Sequence, residues 1–414
     1  MRRIWLLMAG GLLVCCAGCA VRPTGADRPL RFAFWALNPA EVTLTQELVR
    51  EFEAANPDLK VEILEIPSGY YEKLATMFAG GTPPDVMVLN HGRLRDFAQR
   101  RVLADLAKES AGVEAVRLED GYCPAWLIEW NPTNLLLYDP EALAEAGVGL
   151  PPEEGWTWRE FEAACRALKA GLGEGKRAAS VCLYPYAAMA WLYQGGVDMA
   201  AARSEGLGAV LRDQRSLRGV EYLLRLAREG LIMRPDPAQD SSMEDFRAGR
   251  VAMTFVTPYS LGMLKKGSSR PWRLAGPLRD RGTATGCLPT AVAMAGSCAI
   301  QRGALRFLRV YATEGSRRRT AAGFCVPAAK ELQKGEALEQ GFGAQAAEVL
   351  GLAVERAEPY PVPVEGAYLS YEQSSGILRK ALERVFSGGM EPQKALKEAA
   401  AELEAALPRQ QAGG

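Results

Sequence analysis

Leu30-Arg31-Phe32-Ala33-Phe34-Trp35-Ala36-Leu37 opens the stretch on which the fold turns. Apart from Arg31 it is apolar throughout, as a strand covered on both faces requires. Leu44, Leu48, Val49 and Phe52 then recur at helical spacing until Asn56-Pro57 stops the helix, and Lys60-Val61-Glu62-Ile63-Leu64-Glu65-Ile66 alternates as a second strand. Parallel neighbours need a crossover, usually a helix, so strand, helix and strand in this order predict a parallel βαβ unit. After the turn Gly80-Gly81-Thr82-Pro83-Pro84, Val86 to Leu89 supplies a third strand.

Upstream of this unit, Arg2 and Arg3 precede an apolar run from Ile4 to Cys16, then Ala17, Gly18 and Cys19. The form is that of a secretory signal, too short to serve as a comfortable membrane span. Ala17-Gly18-Cys19 also resembles the end of a bacterial lipobox, with Cys16 where leucine is usual; that resemblance implies cleavage before Cys19 and acylation of its thiol. Residues 1–18 are then the signal and 19–29 a lipidated tether. Each buried acyl methylene contributes roughly 0.8 kcal/mol, so two or three chains would hold the protein at a membrane. An ordinary cleaved signal with an incidental cysteine is the alternative, and both predict export.

The chain has 414 residues, 48% hydrophobic and 24% charged, enough for a large core and for more than one domain. Lys+Arg and Asp+Glu are equal at 49 each, so no basic field is present to hold nucleic acid. Six cysteines remain beyond Cys19: Cys123, Cys165, Cys182, Cys287, Cys298 and Cys325. None forms a CxxC pair, which leaves zinc without a ligand spacing and favours buried small hydrophobes; an exported chain could still hold a disulfide.

Downstream, Tyr122 to Tyr138 suits extended crossing segments, and Asp139-Pro140 starts a helix with Asp as N-cap and Pro in the first turn. Thr157-Trp158-Arg159-Glu160 is a capping box ahead of Phe161, Ala164 and Leu168. The pattern is mostly helical from Tyr184 to Leu264. Leu305, Leu308 and Ala312 mark a later helix, and Leu396, Ala400, Leu403 and Leu407 mark the last, after Pro392.

Several of these segments together resemble one family. They are Phe52-Glu53-Ala54-Ala55-Asn56-Pro57, Tyr71-Glu72-Lys73-Leu74, Gly80 to Val86, Leu103-Ala104-Asp105-Leu106, Asn134 to Tyr138, Glu145-Ala146-Gly147, Trp156 to Phe161, Gln194-Gly195-Gly196 and Phe246 to Met253. In order and spacing they are similar to family 1 extracellular solute-binding proteins, the sugar-binding components of bacterial ABC importers that include the maltose-binding proteins. The resemblance implies an α/β, two-lobed periplasmic-binding-protein type II fold with discontinuous, hinge-linked lobes. The N-terminal lobe is expected at 30–124 and 276–323 and the C-terminal lobe at 132–274 and 326–407, with hinges near 125–131, 275 and 324–325. It further implies a mono- or oligosaccharide or similar hydrophilic ligand, ABC permease subunits as partners and hinge closure around the ligand. A monomer without cofactor or metal is expected, anchored at the cell membrane and facing the periplasm or exterior.

A sugar cleft needs aromatic faces for ring C–H groups and polar side chains for hydroxyls. Trp35 and Asn38 end the first strand, where a parallel sheet opens into its ligand crevice, though Trp35 suits the core equally. By the resemblance, Asn90, His91 and Arg93 stand where the family makes sugar contacts, with Gly92 in place of a frequent carboxylate; Arg93 could instead pair with a neighbour. Tyr259, after Thr257-Pro258, replaces a tryptophan that stacks on sugar in the family, and is the favoured single contact. Tyr184, Tyr186, Trp191 and Gln194 lie in a segment that supplies cleft aromatics, with Trp191 preferred. Trp130 and Asn131 mark the hinge, Gly296 and Ser297 align with a glycine loop that offers backbone donors, and Tyr368 and Tyr371 are further candidates.

Two other classes compete. A carbohydrate hydrolase needs paired carboxylates, whereas Asp85, the obvious one, is explained by a structural role at the start of a strand. No GxSxG, HExxH or Walker pattern occurs, and His91 is the only histidine. A sensing lipoprotein that reports closure to a membrane partner would look the same in sequence as an importer component.

Overall fold

A computed structural model describes residues 28–36, 38–238, 242–265, 270–361 and 369–407. The expected signal, Cys19 and Tyr368 lie outside the described residues. The strands are β1 (Leu30–Phe34), β2 (Val61–Glu65), β3 (Val86–Asn90), β4 (Glu114–Val116), β5 (Ala125–Pro132), β6 (Leu135–Tyr138), β7 (Arg177–Ala179), β8 (Val251–Val256), β9 (Arg273–Ala275), β10 (Thr285–Met294) and β11 (Ala357–Pro359). The first six major helices are α1 (Pro39–Ala55), α2 (Tyr70–Ala79), α3 (His91–Gln99), α4 (Pro140–Glu145), α5 (Trp158–Gly171) and α6 (Pro185–Gln194).

These strands form two sheets, each the centre of one lobe. The first runs β2-β1-β3-β10-β5-β4, with β11 beside β10; β1 is parallel to both β2 and β3, and β10 is antiparallel to β3 and β5. Its strands alternate between two cores. Leu30, Phe32, Phe34, Val86 and Val88 meet Leu48 and Phe52 of α1 and Phe307 of the helix Gln301–Val310. Ala33, Met87 and Leu89 meet Tyr70 and Leu74 of α2 and Leu94 and Phe97 of α3. A sheet clothed on both faces explains the unbroken apolar runs of β1 and β3.

The second sheet has the order β7-β8-β6-β9. Leu136, Tyr138, Met253 and Phe255 face α5, α6 and the C-terminal helices Tyr371–Phe386 and Pro392–Ala406, whereas Leu135, Leu137, Val251 and Val256 face Leu338, Phe342 and Leu350. The helix starts follow their sequence signals: Asp139 Oδ1 accepts the Glu141 and Ala142 N–H groups, and Thr157 and Glu160 close a reciprocal capping box. Among the described residues no helix is long and apolar enough to cross a membrane.

Between the lobes, β5 crosses directly into β6. Thr133 N–H donates to Gly286 C=O (2.8 Å), Thr285 Oγ1–H to Thr133 C=O (2.8 Å) and Trp130 N–H to Val326 C=O (2.9 Å). Gly286 is required by crowding, since a Cβ there would lie 2.6 Å from both Thr133 Oγ1 and Tyr186 C=O. The expected switch of lobes near 275 is corrected. Residues 276–282 are held to the second lobe through Gly276 N–H to Glu153 C=O (2.8 Å), Arg279 N–H to Trp156 C=O (3.0 Å) and Gly282 N–H to Gln194 C=O (3.0 Å). The chain returns to the first sheet only with β10.

Candidate functional site

β1, β2 and β3 run parallel, so their carboxyl ends share one edge of the first sheet, the usual place for a ligand crevice. Trp35 follows β1 there, half-buried, with its ring edge-on to Tyr70 (5.1 Å between centroids) and tilted against Tyr71 (6.1 Å). Tyr70 is fixed from below by donating to the carbonyls of Ala33 and Val88. Burial raises the Tyr70 and Tyr71 phenols, which stay neutral, Tyr70 as a donor and Tyr71 as the acceptor of the Asn90 N–H at 3.0 Å. Asn38 caps α1 through its Oδ1, and Asn90 caps α3 by accepting the Arg93 N–H at 3.0 Å. His91 opens α3; its side chain lies outside the described atoms.

Facing this edge, the helix Pro258–Lys265 starts directly after β8 and presents Tyr259. Asn38 Nδ2 donates to the Tyr259 hydroxyl at 2.9 Å, which joins the two lobes across the cleft. Burial raises the Tyr259 pKa, with the Asn38 bond opposing it. A second bridge lies further along. Arg93 pairs with Glu372 at the start of the helix Tyr371–Phe386 while its guanidinium covers the Tyr71 ring, 4.7 Å from the centroid. Burial pushes the Glu372 carboxyl up and Arg93 opposes that shift. Beside this pair the Tyr371 ring lies against Gly92, where an added Cβ would come within 2.8 Å of Tyr371 Cβ. The missing side chain at Gly92 is therefore what lets Tyr371 approach.

Behind Tyr259, near the hinge, Arg319 sits largely covered between two acids, with Nη2 2.6 Å from Glu129 and 3.1 Å from Glu41. Burial opposes its charge, but Glu129 and Glu41 hold the guanidinium firmly protonated. Glu129 also accepts from Asn131 Nδ2 (3.0 Å), and Asn131 Oδ1 accepts the Val326 N–H (2.8 Å). Asn131 is thus hinge framework, and Trp130 beside it is half-buried on β5.

Two expectations are corrected. Trp191 is a core residue at 2% exposure, packed on Phe255 (5.1 Å), Trp158 and Tyr222, because α6 turns that face into the second lobe. Gly296 and Ser297 are exposed at the wrong edge of the first sheet. β10 is antiparallel to β3 with Met294 opposite Val86, so the turn after it lies by Asp85, about 17 Å along the strand from Asn90 at a strand rise of roughly 3.3 Å per residue. Gln194 likewise serves the core, accepting from Trp158 Nε1 at 2.8 Å. Tyr184 and Tyr186 remain half-buried against each other at the start of α6. Asp85 is engaged structurally by Arg28 (2.6 Å) and the Arg31 N–H (2.9 Å). The six described cysteines are buried, and none of them is joined in a disulfide.

The site also uses residues not expected from sequence. Glu372 and Tyr71 could have been suspected as polar partners of Arg93. Arg319, within the run Arg317-Arg318-Arg319, looks like part of a solvated basic face, and only its neighbours in space reveal the buried acids.

The family model for bacterial extracellular solute-binding proteins matches residues 38–279, more than half the chain. The chain belongs to this family. Its fold recurs in the sugar-binding protein MalE of Xanthomonas citri, at TM-score 0.75 and 21% identity, with 91% of this chain and 97% of that one covered. The GacH receptor of Streptomyces glaucescens, described in complex with acarbose, aligns at TM-score 0.74 and 20% identity over 91% of this chain and 99% of that one. UgpB from Mycobacterium tuberculosis, in complex with glycerophosphocholine, aligns at TM-score 0.74 and 17% identity over 92% and 98%. An uncharacterized lipoprotein of Streptomyces antibioticus is 33% identical over 180 residues, 40% of this chain and 39% of that relative's length.

Proposed function

We propose that this family member is the capturing component of an ABC importer, taking up a neutral carbohydrate between its lobes and handing it to the permease. The observation that carries the reading is the Asn38–Tyr259 bond, which puts one polar group from each lobe on the same point of the cleft. A ligand that contacts both walls binds the closed form more tightly and shifts the population toward it. The charged groups bordering the cleft pair with one another, Arg93 with Glu372 and Arg319 with Glu129 and Glu41, which favours an uncharged solute over a phosphodiester. Trp35, Tyr71 and Tyr371 supply aromatic surface for sugar rings.

A thermal-shift screen over glucose, maltose, maltotriose, trehalose and glycerophosphocholine tests this, because a ligand specific to the native state raises the melting temperature. Stabilisation by a neutral sugar, with stoichiometric binding and no product, is expected; stabilisation by glycerophosphocholine alone, or turnover of the sugar, would overturn it. The lipoprotein relative and the Ala17-Gly18-Cys19 sequence support membrane anchoring through Cys19. Cys19→Ala should then move the protein from the membrane fraction of the expressing cell to the soluble one.

A further inference from the structure

We infer that the link between β5 and β6 forms a subsite for one uncharged hydroxyl of the ligand, read by Asn134 and Thr133. Asn134 adopts φ 55°, a left-handed conformation that asparagine tolerates better than most side-chain-bearing residues. It is 4% exposed, yet neither its Oδ1 nor its Nδ2 has a hydrogen-bond partner, and Thr133 Oγ1, at 0% exposure, has none either. Buried polar atoms are nearly always paired in folded proteins because leaving one unpaired is costly, so three at one point call for a missing partner.

The cavity they border has a volume of about 30 Å³, and Tyr186, Ser242, Thr257 and Ser260 add further polar groups to its lining. Thr257 and Ser260 flank Tyr259, the residue that meets Asn38, so the cavity adjoins the interlobe cleft. No charged side chain occurs among the described residues lining it. An amide presenting both a free donor and a free acceptor is satisfied by a group that both accepts and donates. A hydroxyl or hydroxymethyl does this in the available space, whereas a phosphate is too large and an ammonium cannot accept.

The assignment rests on the interlobe cleft being a carbohydrate site, and its test separates the two. Isothermal titration would compare the wild type, Asn134→Gly and Thr133→Val against the sugar of glucose, maltose, maltotriose and trehalose that stabilises the wild type, and against its monodeoxy analogues. Glycine keeps the backbone conformation and removes the amide. The variant should bind the parent sugar about ten- to a hundredfold more weakly. One monodeoxy analogue should be comparably weak on the wild type and lose nothing further on the variant. Should Asn134→Gly not fold, Thr133→Val carries the comparison, with a smaller loss in the same direction. Unchanged affinity in a folded variant, with a buried water on Asn134 in crystals of the sugar complex, overturns the subsite and leaves the carbohydrate site standing. No binding of any of these sugars to the wild type overturns both.

Discussion

Two aromatic residues of the second lobe show how local sequence can mislead about a single side chain. Trp191 and Tyr259 both follow patterns associated with cleft aromatics, but α6 buries the first and the helix after β8 exposes the second to the other lobe. Their substitutions should therefore separate. Trp191→Ala leaves a large void among Phe255, Trp158 and Tyr222 and should cost about 3–5 kcal/mol of folding stability, read from urea denaturation. Tyr259→Phe keeps the ring and removes only the hydroxyl that accepts from Asn38. Since that bond spans the lobes, its loss of about 0.5–1.5 kcal/mol should appear mainly as sugar binding weakened up to about tenfold in calorimetric titration, with each lobe's stability largely kept. Equal destabilisation by both changes would mean that Tyr259 is also core.

At the scale of elements, α5 is held to the helix Gln214–Arg228 by an acid that takes two guanidinium groups. Arg225 grips Glu162 through both nitrogens (2.6 and 2.8 Å) and Arg166 adds a third contact at 2.8 Å. The Arg225 bonds, against partial burial and with help from Arg166, hold the Glu162 carboxyl down at about 2. A carboxyl depressed in the folded state binds fewer protons there than in the unfolded chain. Its contribution is therefore complete above the ordinary glutamate range near 4.5 and is lost as pH falls towards about 2. The arginines are half in solvent, so screening leaves roughly 1 kcal/mol. Urea midpoints measured between those two pH values should fall more steeply for the wild type than for Glu162→Gln, and parallel curves would rule the contribution out.

The helix starts of this region were legible because a capping box is a local device: Thr157 and Glu160 need only each other. The βαβ unit was legible for the same reason, since the apolar run of β1 and the periodicity of α1 each report their own burial. What escaped the sequence was set by partners far along the chain. Gly296 is on the wrong edge because β10 runs antiparallel to β3, and the lobe boundary lies past 275 because the backbone of 276–282 bonds to Glu153, Trp156 and Gln194. The orphaned amide of Asn134 has no sequence signature at all, since its meaning lies in atoms that are missing around it.

For the whole molecule, the proposed function requires the lobes to approach closely, and one place where they crowd each other is Gly92 against Tyr371. The residue lies in the first turn of α3, where a side chain is sterically acceptable to its own helix, so the constraint comes from the other lobe alone. Gly92→Leu should wedge the lobes apart at this point. The same change leaves the first lobe's core untouched, because its nearest neighbours are the Cβ, Cγ and Cδ2 atoms of Tyr371, which packs at the margin of the second lobe's core beside Tyr360. A ligand whose competent state is less populated binds more weakly in proportion, so a tenfold drop in closed population weakens binding about tenfold. Small-angle scattering should give a larger radius of gyration for the variant than for the wild type when both are saturated with sugar, while the thermal unfolding of the sugar-free proteins stays similar. Pairing Gly92→Leu with Tyr371→Ala removes the obstruction and should restore compaction, although part of the affinity would remain lost with the ring. If the double variant stays expanded, the approach of the lobes is governed elsewhere, with the Arg93–Glu372 ion pair the next contact to examine.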